Sequence, residues 1–561
     1  MTLLAWLDDP DPRHGIRFAR ADGDWEEWTY PRLAELSRRV AAGLRARGVG
    51  RDDVVTVVQR SGPGFVASLF GTLLAGGTPS PVAPPMTFQD PRVYREHLAR
   101  LFGSARPRLV LCDPELVDAL APVAAGTAEA ATCALPALLE ETDDPGPVRH
   151  RPAELALLQF TSGSSGVANG VRVPYPALEA NLRAISQWLA ITPDDPTATW
   201  LPVHHDMGLI GCLLTPVVNQ TDIWLMRPED FVARPSRYVR CFGVSGARLT
   251  AMPSFGLNYL ARRLRPEDLD GCDFSQWRAI IVGAERVDRD ALTAVHELLS
   301  PYGLRQEAFL PAYGLAEATL AVTGLPLPEV WRSVSVEPRS LTPGQPMAPA
   351  TDPEIAQSVV GCGRPLAGVE VSIVDESGAE LPDGWVGEIR VGGSSVAAGY
   401  LGGNHAAALT RLDSGTLYSG DAGFCLDGQL YVLGRLGDSM KIRGRAVFAE
   451  DVESLLAPLR PPPRRAVVAL GASDGRPTVL VVFEQAQEGW VAQTPELLRP
   501  RTEDADVVVV DAPRGTISWT SSGKPKRRLL WRDFVAGRLP AARLDVTPLP
   551  DAPAPTIGGP R

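Results

Sequence analysis

Residues 155–173 read LALLQFTSGSSGVANGVRV. Leu155, Leu157, Leu158 and Phe160 make a short apolar run of the length of a buried strand. The run breaks into Thr161-Ser162-Gly163-Ser164-Ser165-Gly166, with Gly170 a few residues on. Small hydroxyl residues and glycines after a strand let the backbone curve into a nest. Its N–H groups and hydroxyls then converge on an anion such as a triphosphate. The same composition also suits a flexible surface loop. It is not a P-loop, because the Gly523-Lys524 pair has Ser518 where the first glycine of that motif belongs. The reading turns on what accompanies this loop elsewhere in the chain.

On its N-terminal side, Thr29-Tyr30-Pro31 opens a helix whose apolar stripe is Leu33, Leu36, Val40 and Leu44 and which Gly48 closes. Val54–Val58 and Arg108–Leu111 read as strands, Phe65–Leu74 as a helix ended by Gly76-Gly77, and Pro79–Pro85 as a rigid loop. Strands alternating with helices predict parallel sheet covered on both faces. After the loop comes a helix over 177–189, then a series of apolar strands that each end in small or polar residues. Trp200-Leu201-Pro202 leads into Val203-His204-His205-Asp206-Met207-Gly208, and Ile223-Trp224-Leu225 and Arg248–Met252 follow. Ala279–Val282 ends on Gly283-Ala284-Glu285, and Phe309-Leu310 leads into Ala312-Tyr313-Gly314-Leu315-Ala316-Glu317. In open α/β sheets the ligand crevice lies at the carboxyl ends of the strands, so these endings are expected to share one pocket.

The pattern changes after Val330. Residues 329–358 are proline-rich and poorly periodic, and read as an exposed insertion or a loop covering the site. Closely spaced strands at Val369–Val374, Glu388–Val391 and Leu430–Leu433, with a turn at Asp427-Gly428, predict an antiparallel subdomain. Gly434-Arg435-Leu436-Gly437-Asp438 marks a domain boundary, giving a large α/β domain over 1–436 and a small α+β domain over 437–540. The proline- and alanine-rich 541–561 reads as a disordered tail.

Composition narrows the function. A chain of 561 residues exceeds one core, so two or more domains are expected. A net charge of −11 argues against nucleic acid or an anionic membrane as the main partner. The 7 cysteines are scattered and never form CxxC, which disfavours zinc sites and disulfide frameworks and fits a reducing cytoplasm. No stretch is apolar enough to span a bilayer, and the start lacks a signal-peptide pattern. No GxSxG elbow or HExxH motif supports a hydrolase.

Taken together, the chain resembles the adenylate-forming superfamily of acyl and aryl-acid ligases, most of all the fatty acyl-AMP ligases. LPVHHDMGLIG (201–211) and AYGLAEATLAVT (312–323) carry the resemblance. VGCGRPLAGVEVSIVD (360–375), SGDAGF (419–424), GRLGD (434–438) and TSSGK (520–524) follow in order and spacing, and 329–358 falls where that subfamily has an extra segment. The reaction implied is attack of a carboxylate on the α-phosphorus of ATP, giving acyl-AMP and pyrophosphate. Two anions must meet, so cations and donors have to offset their repulsion.

By this resemblance Lys524 would bridge carboxylate and α-phosphate. Glu317 would hold Mg²⁺, and His205 would gate the carboxylate pocket with Asp206 orienting its ring. Asp421, read as sitting in a tight turn, would take the ribose hydroxyls with help from Arg435. Tyr313 would stack on adenine beside Gly314, and Gly283-Ala284-Glu285 would line its edge. Thr161 to Gly166 would cradle the phosphates. The small domain would swing about 437–438, and the implied acceptor is the phosphopantetheine thiol of an acyl carrier protein. Met252, Phe255 and Leu257 are pocket-lining candidates whose default is core packing.

The chain departs from the family at four places. Ala168-Asn169-Gly170 replaces Pro-Lys-Gly, removing one cation near the pyrophosphate, and Pro174-Tyr175 replaces Ser-His. Gly437 stands where a hinge lysine is common, and Arg445-Ala446-Val447-Phe448 replaces Arg-Asn-His-Tyr. Two alternatives stay open beside a fatty-acid ligase. One is an aryl- or short-acid adenylating ligase using coenzyme A or another nucleophile. The other is a non-catalytic nucleotide-binding homologue, against which the joint presence of Glu317, Asp421, Arg435 and Lys524 speaks.

Overall fold

The computed structural model describes residues 2–85, 90–140, 153–161, 169–353, 356–404, 409–442, 445–460, 463, 465–473, 476–502, 505–519, 524–540 and 543–547. Val54–Val58 is a strand of five consecutive β-branched residues, four of them fully covered, as expected for parallel sheet. The helix Pro63–Ala75 packs behind it and is buried on nearly every side. Gly71 lets the helix Tyr30–Ala46 approach, since a Cβ there would stand 2.6 Å from Val40 Cγ1. Thr29 precedes that helix in extended conformation, but its side chain makes no capping bond.

Leu109–Cys112 and Thr78–Pro81 flank Val54–Val58 on opposite sides, with Ala131–Ala134 beyond, all four parallel. The chain therefore winds both ways from its first strand. The loop expected over Pro79–Pro85 is corrected by this: its first residues form the edge strand. A proline is tolerated there because the outward N–H has no ladder partner to lose.

The larger sheet has nine strands. Its parallel run is Phe309–Gly314, Ala279–Val282, Leu249–Met252, Thr197–Thr199, Ile223–Leu225 and Gly15–Ala19, and antiparallel strands close both edges. Helix Tyr175–Trp188 covers one face with the segment Met207–Leu214, which winds as a π-helix. Thr215 Oγ1 reaches back to the Ile210 carbonyl at 2.7 Å, and Asp206 accepts the Met207 N–H at 2.8 Å. Gly208 is required at the entry, where a Cβ would lie 2.3 Å from the Pro202 oxygen. The α/β reading with an antiparallel part stands: Val369–Val374, Gly387–Gly393, Thr416–Leu426, Arg411–Asp413 and Gln429–Arg435 form an antiparallel sheet.

Residues 329–358 are neither a bare loop nor fully exposed. Ser333–Val336 pairs antiparallel with Gln357–Val360, and Val336 and Leu341 enter a core with Ala446 and Phe448 of the small domain. The small domain's own sheet runs Ala466–Ser473, Arg476–Glu484, Asp506–Ala512 and Arg543–Thr547, with helices Ala449–Ser454, Trp490–Thr502 and Arg527–Val535. The strand Arg543–Thr547 corrects the start of the expected disordered tail, because its backbone pairs along the free edge of Asp506–Ala512. The rest of that tail lies outside the described residues.

Candidate active site

Leu155–Thr161 pairs antiparallel with Asn169–Pro174, and Thr161 opposite Asn169 is the pair next to the connecting residues 162–168. Of the six loop residues proposed to cradle phosphate, Thr161 alone is described; Ser162, Gly163, Ser164, Ser165 and Gly166 lie outside the described residues, as does Ala168. Thr161 Oγ1 donates to the Asn169 carbonyl at 3.4 Å. Gln159, buried beneath, donates its amide to the His204 carbonyl at 2.9 Å and so ties the hairpin to the 204–206 segment. His205 lies partly buried on the cleft wall beside it. Burial and the neighbouring His205 hold the His204 imidazole well below the ordinary histidine value. The Asp206 carboxylate, next along the chain, accepts the Met207 N–H at 2.8 Å.

The strand endings of the large sheet meet above this floor. Gly283 sits where a Cβ would be 2.9 Å from the Ala312 oxygen, and Ala284 adopts φ 67°. Glu285 accepts the Phe255 N–H at 2.9 Å, and crowding by protein raises its carboxyl although its surface faces the solvent of the cleft. Gly314 leaves room for the backbone of Leu320, whose oxygen would stand 2.0 Å from a Cβ. That tight return carries Glu317, 7% exposed, which accepts the Tyr400 hydroxyl at 2.6 Å. Burial raises the Glu317 carboxyl, while Tyr400 and Arg435 act in the opposite sense.

Asp421 is not in a turn. It lies within the strand Thr416–Leu426, one residue past Gly420 at φ +71°, and is the cross-strand partner of Arg435. Ladder pairing overrides the turn signal of Ser-Gly-Asp-Ala-Gly. The geometry puts Arg435 Nε 2.9 Å from one Asp421 oxygen and the Tyr313 hydroxyl 2.7 Å from the other. Tyr313 thus reaches the carboxylate by its hydroxyl while its ring walls the cleft.

Lys524 comes from the small domain and lines the same cleft. It keeps access to solvent there, yet surrounding protein and Arg435 pull its ammonium below the ordinary lysine value, with Asp421, Asp206 and Glu285 opposing. The C-terminal sheet and its helices are tied to the rest by contacts that no local pattern announces. Arg286 forms an ion pair with Asp451, whose Oδ1 also accepts the Gln357 amide at 2.7 Å. Arg286 Nη2 donates to the Ser358 carbonyl at 3.3 Å. Gly437 makes room for Arg528: a Cβ would stand 1.7 Å from its Nη2, so the arginine fills the space a hinge side chain would take.

All these groups face one cavity of about 1560 Å³. Its apolar lining includes Ile185 and Trp188 of helix Tyr175–Trp188. Phe255 lines the mouth at 53% exposure, whereas Met252 and Leu257 are core residues. Among the described residues no group of three or more His, Cys, Asp or Glu could hold a metal ion. Glu317 alone suits an ion ligated mostly by phosphate and water. Sequence reasoning missed Gln159, Tyr400, Arg286, Gln357 and Asp451, none of which carries a local motif.

A cleft at strand ends, closed by a small domain that supplies a lysine, defines a nucleotide-dependent ligase architecture. Residues 10–401 match the family described as AMP-binding enzyme, and the chain belongs to that family. It is 30% identical over 543 residues to a 4-hydroxyphenylalkanoate adenylyltransferase of Mycobacterium marinum, covering 90% of this chain and 85% of that protein. It is 29% identical over 551 residues to a medium-chain-fatty-acid–[acyl-carrier-protein] ligase of Moorena producens, covering 92% of each. A solved structure from work on fatty acyl-adenylate ligases of E. coli and L. pneumophila superposes with a TM-score of 0.87 at 27% identity, covering 96% of this chain and 98% of that one. The protein is an acid–AMP ligase by family and fold. No helix among the described residues is long and apolar enough to cross a membrane.

Proposed function

We propose that the protein joins a fatty acid to the AMP part of ATP and passes the acyl group to the thiol of an acyl carrier protein. The observation that carries this reading is the convergence of Glu317, Tyr313, Asp421, Arg435 and Lys524 on one cavity whose lining also includes the apolar Ile185, Trp188 and Leu320. The acid's oxygen bonds to the α-phosphorus and the bridging oxygen leaves with pyrophosphate. Asp421 takes the ribose hydroxyls, its own charge balanced by Arg435 and its orientation fixed by Tyr313. Lys524 spans the two anions as a point charge. Glu317 would hold Mg²⁺, which supplies neutralising charge at the phosphates. Thr161 to Gly166 would contact the phosphates, Gly283-Ala284-Glu285 and Gly314 the base, and His205 the carboxylate. The large domain 1–436 supplies the nucleotide site and the small domain 437–540 the lysine.

The test is ATP–pyrophosphate exchange over fatty, aryl and amino acids. Exchange with fatty acids is expected. Exchange with aryl acids alone would favour the second reading, which the likeness to a 4-hydroxyphenylalkanoate adenylyltransferase supports. No exchange with any acid would leave a nucleotide-binding homologue. Transfer of label to a carrier protein but not to coenzyme A is expected for the acceptor.

A further inference from the structure

Glu317 has a neighbour whose chemistry the proposed reaction leaves unused. The Tyr400 hydroxyl donates to Glu317 Oε1 at 2.6 Å, and both residues line the cavity although they are 5% and 7% exposed. The Tyr400 ring packs in the main hydrophobic core, a task a phenyl ring would serve equally. The hydroxyl is what a phenyl ring lacks, and it is spent on the carboxylate. Burial disfavours the charged form of Glu317, and the hydroxyl opposes that.

Residues 395–401 form a strap that holds Tyr400 against two parts of the site. On one side the Ala397 N–H donates to the Glu317 carbonyl at 2.9 Å, and Thr319 Oγ1 donates to the Ser395 carbonyl at 2.6 Å. On the other, the Arg172 N–H donates to the Gly399 carbonyl and the Ala398 N–H to the Arg172 carbonyl, each at 2.9 Å. The Leu401 N–H donates to the Gly170 carbonyl at 2.7 Å. Gly170 permits this approach, for a Cβ there would stand 3.3 Å from Leu401 Cβ. Gly170 and Arg172 belong to the strand Asn169–Pro174, directly after the connecting residues 162–168. The strap thus fixes the turn carrying Glu317 relative to the strand that follows the proposed phosphate loop.

A free glutamate side chain rotates about three bonds, and ordering it opposes ligation. With Oε1 held by Tyr400, much of that ordering is done before an ion arrives. We infer that Tyr400 is a positioning residue whose hydroxyl aims Glu317 at the divalent ion accompanying the nucleotide. The inference rests on the reading of Glu317 as a ligand of that ion and adds the residue that orients it. Groups that orient a ligating side chain govern about ten- to a hundredfold in metal affinity.

Calorimetry on the full chain measures binding of α,β-methylene-ATP in EDTA and in saturating Mg²⁺. In the wild-type protein Mg²⁺ should tighten the nucleotide. Tyr400→Phe should lose about tenfold of that tightening and leave the affinity in EDTA unchanged, a split that lost packing would not produce. In pyrophosphate exchange the half-saturating Mg²⁺ concentration should rise by about tenfold, with the rate at saturation within about twofold of wild type. Glu317→Gln should lose the tightening outright, and adding Tyr400→Phe to it should cost nothing further. A Tyr400→Phe protein that keeps the full Mg²⁺ effect while Glu317→Gln loses it, or that weakens equally in EDTA and in Mg²⁺, overturns the inference and leaves the reading of Glu317 standing. No Mg²⁺ effect in the wild-type protein, or a full one in Glu317→Gln, overturns both.

Discussion

Replacing Asp451 by Asn should loosen the small domain from the cleft. In the wild-type protein Asp451, with a side chain 8% exposed, faces Arg286 at 19% across the domain seam, and it also accepts the Gln357 amide. Removing one partner of a buried pair costs about 3–5 kcal/mol, because the other charge is left uncompensated. Asn keeps the volume and an acceptor for Gln357, and Arg286 retains the Ser358 carbonyl, which places the cost near the lower end. About 3 kcal/mol is roughly a hundredfold in the balance between docked and undocked small domain. The penalty falls on docking, since Arg286 follows the strand Ala279–Val282 of the nine-stranded sheet and Asp451 sits in the helix Ala449–Ser454 of the C-terminal part. The Ala446 N–H reads this directly, for it donates to Thr342 Oγ1 across the same seam at 3.2 Å. Hydrogen exchange at Ala446 should therefore quicken roughly a hundredfold, while the core strand amides of Val479–Phe483 keep their protection. ATP–pyrophosphate exchange should fall with it, because Lys524 leaves the cleft. Ala446 protection within threefold of wild type would refute the role of the pair.

Three further perturbations separate the parts. Lys524→Ala should abolish adenylate formation while leaving ATP binding within a few-fold by calorimetry, and unchanged turnover would remove the lysine from the reaction. Asn169→Lys places a cation beside the connecting residues 162–168 and should tighten ATP by about tenfold, the scale of one charge-assisted contact; no change would mean the loop works through its backbone. Glu453 is held up to about 7 by burial, against the pull of Arg527, from an ordinary 4.5. A carboxyl with a raised folded pKa contributes stability that is complete below its unfolded value and lost as the pH climbs through the folded one. Glu453→Gln lacks that slope, so its urea midpoint relative to wild type should rise between about pH 5 and about pH 8, and a constant difference would contradict the assignment.

The sequence made some elements plain and hid others for physical reasons. Val54–Val58 and Val369–Val374 match residue for residue, the first an unbroken β-branched run and the second β-branched residues alternating with Glu370 and Ser372, patterns that suit a strand. Thr78–Pro81 was hidden by its prolines, which only an edge position tolerates. Asp421 was legible as a residue but not as a strand residue. Its conformation is set by Arg435 on the next strand, and a local pattern carries no cross-strand register. Arg286 and Asp451 stand 165 residues apart, and each looks like an ordinary surface charge until the fold brings them together. The motif residues were found because their chemistry is local. The residues that hold the domains together were missed because theirs is not.

Charge balance links the two halves of the site. Arg435 is already committed to Asp421 and Asn169 supplies no cation, and on the proposed reading Lys524, which lines the same cavity, meets the α-phosphate. Docking that lysine has a cost: surrounding protein and Arg435 disfavour its charged form until an anion arrives. A triphosphate beside the ammonium would favour its charged form instead. Nucleotide binding must then favour docking by the same factor by which docking favours nucleotide. ATP should accordingly return Ala446 protection to the Asp451→Asn protein, and should fail to do so once Lys524 is also changed to Ala. Equal recovery in both would mean that the small domain closes for a reason other than this charge.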